Sequence, residues 1–356
     1  MAYTTIDDPS EHFNTILWTG NGGTNAITGV GFKPDWVWGK DRVGTDNHHL
    51  FDTTRGTNQR LISNSTAAEN TESNCLDSFD SDGFTLGSNT GLNANGEAHV
   101  AWNWKANGGT TSSNTDGSIT STVQANTTAG FSIVTYVSNN TEGATFGHGL
   151  NSAPDLVIVK GRDSADNWAV FNGTSTTNSR SLHLESTGPE IPVSSYNFWN
   201  LYWDETRPSS TVVTLGVDAK VNKSGNENFV AYCFHSVKGY SKIGKYTGNG
   251  NADGTFVYTG FKPAWVLRKC TTASEQWHIQ DTKRLDFNND SDSSILIPST
   301  NGAESTNTNL KMDILSNGFK CRASDGAGNG DGRTYVYMAF AEHPFVSSKG
   351  VPVTAR

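Results

Sequence analysis

Phe32–Lys40 reads FKPDWVWGK, Ala153–Lys160 reads APDLVIVK and Phe261–Lys269 reads FKPAWVLRK. Aligning Pro34, Pro154 and Pro263 brings Lys40, Lys160 and Lys269 into register, each six residues further on. Twelve residues later stand Asp52, Asn172 and Asp281, with no gap in any copy. A fixed spacing repeated three times marks an internal repeat, and that reading comes before any assignment of secondary structure.

Working outward, three more blocks recur in the same order. Upstream lie TILWTGNGGTNAITGVGF, SIVTYVSNNTEGATFGHGL and KIGKYTGNGNADGTFVYTGF. Downstream lie SDGFTLGS (Ser81–Ser88), VVTLGVD (Val212–Asp218) and SNGFKCRA (Ser316–Ala323). The last block reads EAHVAWNWK, ENFVAYCFH and RTYVYMAFA. From Phe84, Val213 and Phe319 to Val100, Val230 and Val336 the spacings are 16, 17 and 17 residues. Each block reads as a strand. In DWVWGK, Trp36, Trp38 and Lys40 share one face and Val37 takes the other. Apolar residues on both faces predict a central strand. NHHLF, NWAVF and QWHIQ predict a further strand, and TGNGG and TGNGNADG predict turns where positive φ is needed. Ser65–Asn74 is the one stretch that predicts a short surface helix.

The expected fold class is therefore all-β, with three tandem antiparallel β-sandwich modules of jelly-roll or concanavalin-A-like type. The expected boundaries are residues 1–109, 129–240 and 241–342 for the modules. Residues 110–128, rich in Gly, Ser and Thr, read as a low-complexity linker, and 343–356 as an extended C-terminal arm. The modules stand either around a pseudo-symmetry axis or as a string.

Composition agrees with many short strands and turns. Of 356 residues only 34% are apolar and 17% charged, yet there are ten Trp, ten Tyr and seventeen Phe. Disordered chains lack such aromatics, whose burial per residue is large. Net charge is −9, and Lys and Arg form no basic stripe, which speaks against a nucleic-acid partner. No run is long and apolar enough for membrane insertion. MAYTTIDDPSEHF has neither a charged n-region nor an apolar h-region, so no signal peptide is expected. Cys75, Cys233, Cys270 and Cys321 lack metal-ligand spacing and read as buried thiols, with a Cys270–Cys321 disulfide as the alternative.

Several blocks resemble a family of marine tailed-phage proteins described as concanavalin-A-like or tail-fibre-like. The carrying stretches are AYTTIDDPS, FKPDWVWGKDR, LFDTTRG, SNSTAAE followed by SFDSDGFTLGS, AWNWKANGG and the closing AFAEHPFVSSKGVPVTAR. The resemblance spans nearly the whole chain and is densest in the first and third repeats. The middle repeat departs most, with Leu156 for the first Trp and no SDGF. The resemblance implies a virion protein and carries over no catalytic residue.

The candidate sites follow from residue chemistry. Lys40 with Asp52, Lys160 with Asn172 and Lys269 with Asp281 form a repeated polar pair, read as a structural pairing between neighbouring strands. Asn in the second copy favours geometry over acid–base work. Asp325, Asn329 and Asp331 place oxygen ligands at alternating positions suited to Ca2+, against a Gly/Asp hairpin turn. Asp80 and Asp82 raise the same alternatives. Tyr196, Phe198, Trp199, Tyr202 and Trp203 form an aromatic run found only in the second repeat, either extra core, a protein interface or a glycan platform. His48 and His49 read as packing or surface residues. No paired-acid strand, GxSxG or Ser/His/Asp constellation stands out, so no enzyme is expected.

The functional expectation is a non-enzymatic phage virion structural protein, a tail-fibre appendage or capsid-surface decoration. It would be displayed outside the particle and serve host attachment, after assembly in the host cytoplasm. Its partners would be other capsid or tail proteins and further copies of itself. The alternatives are a lectin-like module for a host surface glycan and, third, a polysaccharide depolymerase. No cofactor is expected beyond the Ca2+ alternative.

Overall fold

The computed structural model describes residues 3–175, 180–191, 202–284, 288 and 293–353. It is all-β, built from antiparallel sheets. Each repeat places its blocks in the same sheet order. In the first, Phe13–Thr19 pairs with Ala98–Trp104, then come Trp36–Asp41 and His49–Asp52. In the second the order is Phe131–Val137, Asn228–Phe234, Leu156–Gly161, Ala169–Asn172. In the third it is Ser241–Thr247, Thr334–Pro344, Phe261–Cys270, Trp277–Asp281. Register is held as well. Trp36 faces Trp104, Leu156 faces Phe234 and Trp265 faces Phe340. Lys40, Lys160 and Lys269 face Val100, Val230 and Val336.

Strand alternation sends each large sheet's two faces to different neighbours. One face meets a small sheet of the same repeat. Val37, Phe51 and Ala101 pack on Ile27, Phe84 and Leu86. Val157, Val159 and Ala231 pack with Phe146, Val213 and Leu215. Val266 and Tyr337 pack with Val257, Ile314 and Phe319. The other face meets the other two repeats. Trp36, Trp38, Trp102, Trp104, Ile158, Tyr232, Phe234, Trp265, Leu267, Met338 and Phe340 belong to one buried cluster. Full burial of each such side chain contributes roughly 1.5–3 kcal/mol before ordering costs.

The equivalent rings Trp104, Phe234 and Phe340 touch one another pairwise, at centroid separations of 6.4, 6.1 and 5.7 Å. Three equivalent residues in mutual contact place a pseudo-threefold axis between them. The repeats therefore close on themselves, third against first, and do not form a string.

Three expectations need correction. Residues 110–128 are not a linker: Ser112–Asn114 and Ser121–Asn126 are strands that extend the second repeat's sheet beyond Phe131–Val137. Polarity hid them, because an edge strand flanked by polar loops needs few apolar residues. Among the described residues, up to Val353, the C-terminal arm is not extended. The Val346–Pro352 bridge folds it into a turn, and Ser348 bonds to Asp7 with both its N–H and its hydroxyl. Ser65–Asn74 forms no helix; it contains the strand Asn70–Thr71. The cysteines match the expectation: all four are buried free thiols, and the alternative Cys270–Cys321 disulfide is not formed.

Candidate functional site: the junctions between repeats

The hairpin from Trp36–Asp41 to His49–Asp52 puts Asp52 across from Trp36 and His49 across from Gly39. Lys40 and Asp52 thus lie at opposite ends of the hairpin and do not pair. Four of the six residues instead contact a neighbouring repeat: Asp52 and Asp281 at one end of the interval, Lys160 and Lys269 at the other.

Asp52 accepts from the Arg55 Nε at 2.5 Å and from the Tyr232 hydroxyl of the second repeat at 2.7 Å. Arg55 also donates to Glu69 Oε2 at 2.7 Å, and Glu69 Oε1 accepts from Arg162 of the second repeat at 2.7 Å. The Glu69 N–H donates to the Arg162 carbonyl at 2.8 Å. Burial alone would raise the Glu69 carboxyl, but Arg162 and Arg55 outweigh it and hold it below its ordinary value.

The junction from third repeat to first is the same network. Asp281 accepts from Arg284 Nε at 2.6 Å and from the Trp102 indole of the first repeat at 2.9 Å. Arg284 donates to Glu304 at 2.8 Å, and Glu304 accepts from Arg42 of the first repeat at 2.8 Å. The Arg284 guanidinium also sits 5.4 Å from the Trp102 ring centroid. Glu304, like Glu69, is pushed up by burial and brought below its ordinary value by its two arginines.

The junction from second repeat to third lacks this network. Asn172 stands for the Asp, Ser175 for the Arg and Met338 for the aromatic. Glu190 still donates its N–H to the Thr271 carbonyl at 2.9 Å, so the backbone geometry is kept. Its carboxyl meets Arg180 at 3.5 Å, with Ser175 and Asn172 also beside it, all from its own repeat. Burial raises Glu190 above its ordinary value.

The lysines hold the preceding repeat's backbone. Lys160 donates to the Thr66 carbonyl at 3.1 Å and Lys269 to the Thr187 carbonyl at 3.2 Å. Burial brings both amines down to about 8. Lys40 instead donates to the carbonyls of Asp41 and Gly44. Trp168 and Trp277 donate their indole N–H to the carbonyls of Ile62 and His183, again in the preceding repeat, at 3.0 and 2.9 Å. His48, at the equivalent position, is buried and accepts from the Trp38 indole at 3.0 Å. His49 is buried beside Cys75.

The remaining candidates fall elsewhere. Asn329 is almost fully buried, and its amide donates to Asn249 Oδ1, Asn251 O and Ala323 O while its oxygen accepts from the Asn249 N–H. Asp325 Oδ1 accepts from the Ala327 N–H in a local turn. The carboxamide is therefore a turn staple and not an available Ca2+ ligand, so Asp325, Asn329 and Asp331 do not act together as a site. Asn93 and Asn222 do the same work: Asn93 bonds Asn21, Gly23 and Gly87, and Asn222 bonds Asn139, Thr141 and Gly216. Asp82 accepts from the N–H groups of Gly29 and Gly31, and Asp80 from Ser78 and Thr85, as turn residues do. Among the described residues no group of three or more His, Cys, Asp or Glu is placed to hold a metal ion.

In the aromatic run, Tyr202 and Trp203 are core: Trp203 is fully buried against Phe171, and Tyr202 bonds His183 at 3.0 Å. Tyr196, Phe198 and Trp199 lie outside the described residues. Sequence reasoning missed Arg55, Arg284, Glu69 and Glu304. A signal existed: DTTR and DTKR stand at the same offset, and the middle repeat has NGTS there.

A family model described as "Domain of unknown function (DUF7483)" matches residues 8–344, and the chain belongs to that family. No curated protein matches, and no solved structure does.

Proposed function

We propose that this member of the DUF7483 family is a non-enzymatic structural protein of a phage particle, displayed outside it as a tail appendage or capsid-surface decoration and contributing to host attachment. In this reading each repeat is a β-sandwich module of concanavalin-A-like type, and three modules form one rigid block. The observation that carries it is the use of the repeated polar side chains. Asp52, Arg55, Glu69, Asp281, Arg284 and Glu304 all bond within or between repeats, which is what a scaffold needs. The partners would be other virion proteins and further copies of the chain. Tyr202 and Trp203 are core residues, which takes weight from the lectin-like alternative. The test is localisation on purified particles by peptide mass spectrometry and cryo-electron microscopy. Density of this shape outside the shell or tail is expected. Its absence from purified particles would overturn the reading.

A further inference from the structure

The three junctions differ in one more place. Where the first repeat meets the second, the strand Ser121–Asn126 lies along the outer edge of Phe131–Val137, and Gln124 faces Ile133. Gln124 plugs the junction. Its carbonyl oxygen accepts from the N–H groups of Asn107 and Gly109, and its amide donates to the hydroxyls of Thr53 and Thr54 at 2.8 and 3.0 Å. Asp35 closes the base, accepting from the N–H groups of Ala106 and Gly108 and from Thr53.

The equivalent place at the junction of third and first repeats holds no strand. Phe13–Thr19, the counterpart of Phe131–Val137, ends its sheet, and no strand lies on its outer side among the described residues. A groove of about 450 Å³ runs there, lined by Phe13, Asn14 and Thr15 on one side and Lys262, Thr282 and Lys283 on the other. The substitutions are directed. Thr54 becomes Lys283, Asp35 becomes Ala264 and Ala106 becomes Glu342. Glu342 is paired with Lys262 at 2.8 Å, and Asp8 accepts from the Ser10 N–H and hydroxyl. The Lys283 ammonium is exposed and has no ion-pair partner among the described residues.

We propose that this groove and edge accept an extended peptide segment of a partner protein, added as a strand along Phe13–Thr19 with a glutamate where Ser121–Asn126 carries Gln124. Strand addition satisfies an open edge through main-chain hydrogen bonds, and the side-chain pocket sets specificity. The pocket chemistry selects the carboxylate. A glutamine amide donor meets two hydroxyls at Thr53 and Thr54 but would meet an ammonium at Lys283. A glutamate oxygen accepts from both Lys283 and Thr282, and a charge-assisted bond is the stronger. The inference does not depend on the virion reading.

The probe is a fluorescein-labelled peptide copying Ser118–Thr127 with Gln124→Glu, titrated with the full chain and read by anisotropy. Saturable binding is expected. It should weaken about tenfold with the unaltered glutamine peptide and at least as much in Lys283→Glu. Lys283 is exposed, so this variant is not at risk of misfolding. Thr15→Pro, which removes an edge N–H, should also abolish binding if the variant folds. No saturation up to about 1 mM overturns the proposal, as does binding that Lys283→Glu leaves unchanged. Concentration-dependent self-association of the free chain that Lys283→Glu abolishes overturns it too, because the occupant would then be a second copy.

Discussion

The junction from third repeat to first and the junction from second to third share a backbone and differ in chemistry. In both, a glutamate N–H, Glu304 or Glu190, donates to a carbonyl of the following repeat, Arg42 or Thr271. Only the first has Asp281, Arg284, Glu304 and Arg42 linked in sequence around the Trp102 ring. The second runs on Asn172, Ser175 and Met338, with a small apolar gap lined by Leu156, Leu267 and Met338. Geometry is thus set by the shared β register. The ion network adds to it and is not needed to build it, in line with the modest net worth of buried ion pairs compared with apolar packing.

That comparison can be broken most sharply at Arg284. Its guanidinium side chain is fully buried against Asp281. Arg284→Ala should cost about 3–5 kcal/mol in chemical denaturation, because it leaves Asp281 buried and unpaired. Arg284→Ser with Asp281→Asn copies the middle junction and should cost clearly less than Arg284→Ser alone. Equal costs would mean that the network is not coupled.

A smaller effect tests what the junctions share. Asn93→Ala, Asn222→Ala and Asn329→Ala each remove a buried turn staple and should each cost about 1–3 kcal/mol, with no special sensitivity at the middle repeat. Thermal melts of the three variants check this.

The smallest effect depends on pH. Glu304 lies below its ordinary value in the folded chain, so its contribution is present above the unfolded pKa and is lost as pH falls through the folded one. Glu190 lies above its ordinary value, so its contribution is present at low pH and is lost as pH rises through the folded pKa. Glu304→Gln should therefore destabilise at pH 7 by about 1–2 kcal/mol, and that penalty should shrink below pH of about 4. Glu190→Gln should be neutral or stabilising at pH 7. Urea midpoints at the two pH values separate the cases.

Much of the fold was legible because register follows spacing. The Pro-to-Lys interval shared by Pro34, Pro154 and Pro263 returns as equivalent strand pairs. The second apolar face of DWVWGK was legible too, but its partner was not. Trp36 stacks on Tyr232 at 4.3 Å, about two hundred residues away, and no local pattern records such a contact. The Lys40–Asp52 pairing failed because a twelve-residue interval spans a hairpin and separates its ends. The Asn329 staple was visible in principle: an Asn stands seven or eight residues before Val100, Val230 and Val336. Its neighbouring acids drew the eye to Ca2+ instead.

The central claim is ring closure through the third junction. Hydrogen exchange by mass spectrometry on Arg284→Ala tests it most directly. Closure predicts faster exchange in the third repeat and also in Ala98–Trp104 of the first, whose Trp102 bonds Asp281. Faster exchange confined to residues 241–344, with Ala98–Trp104 unchanged, would contradict it.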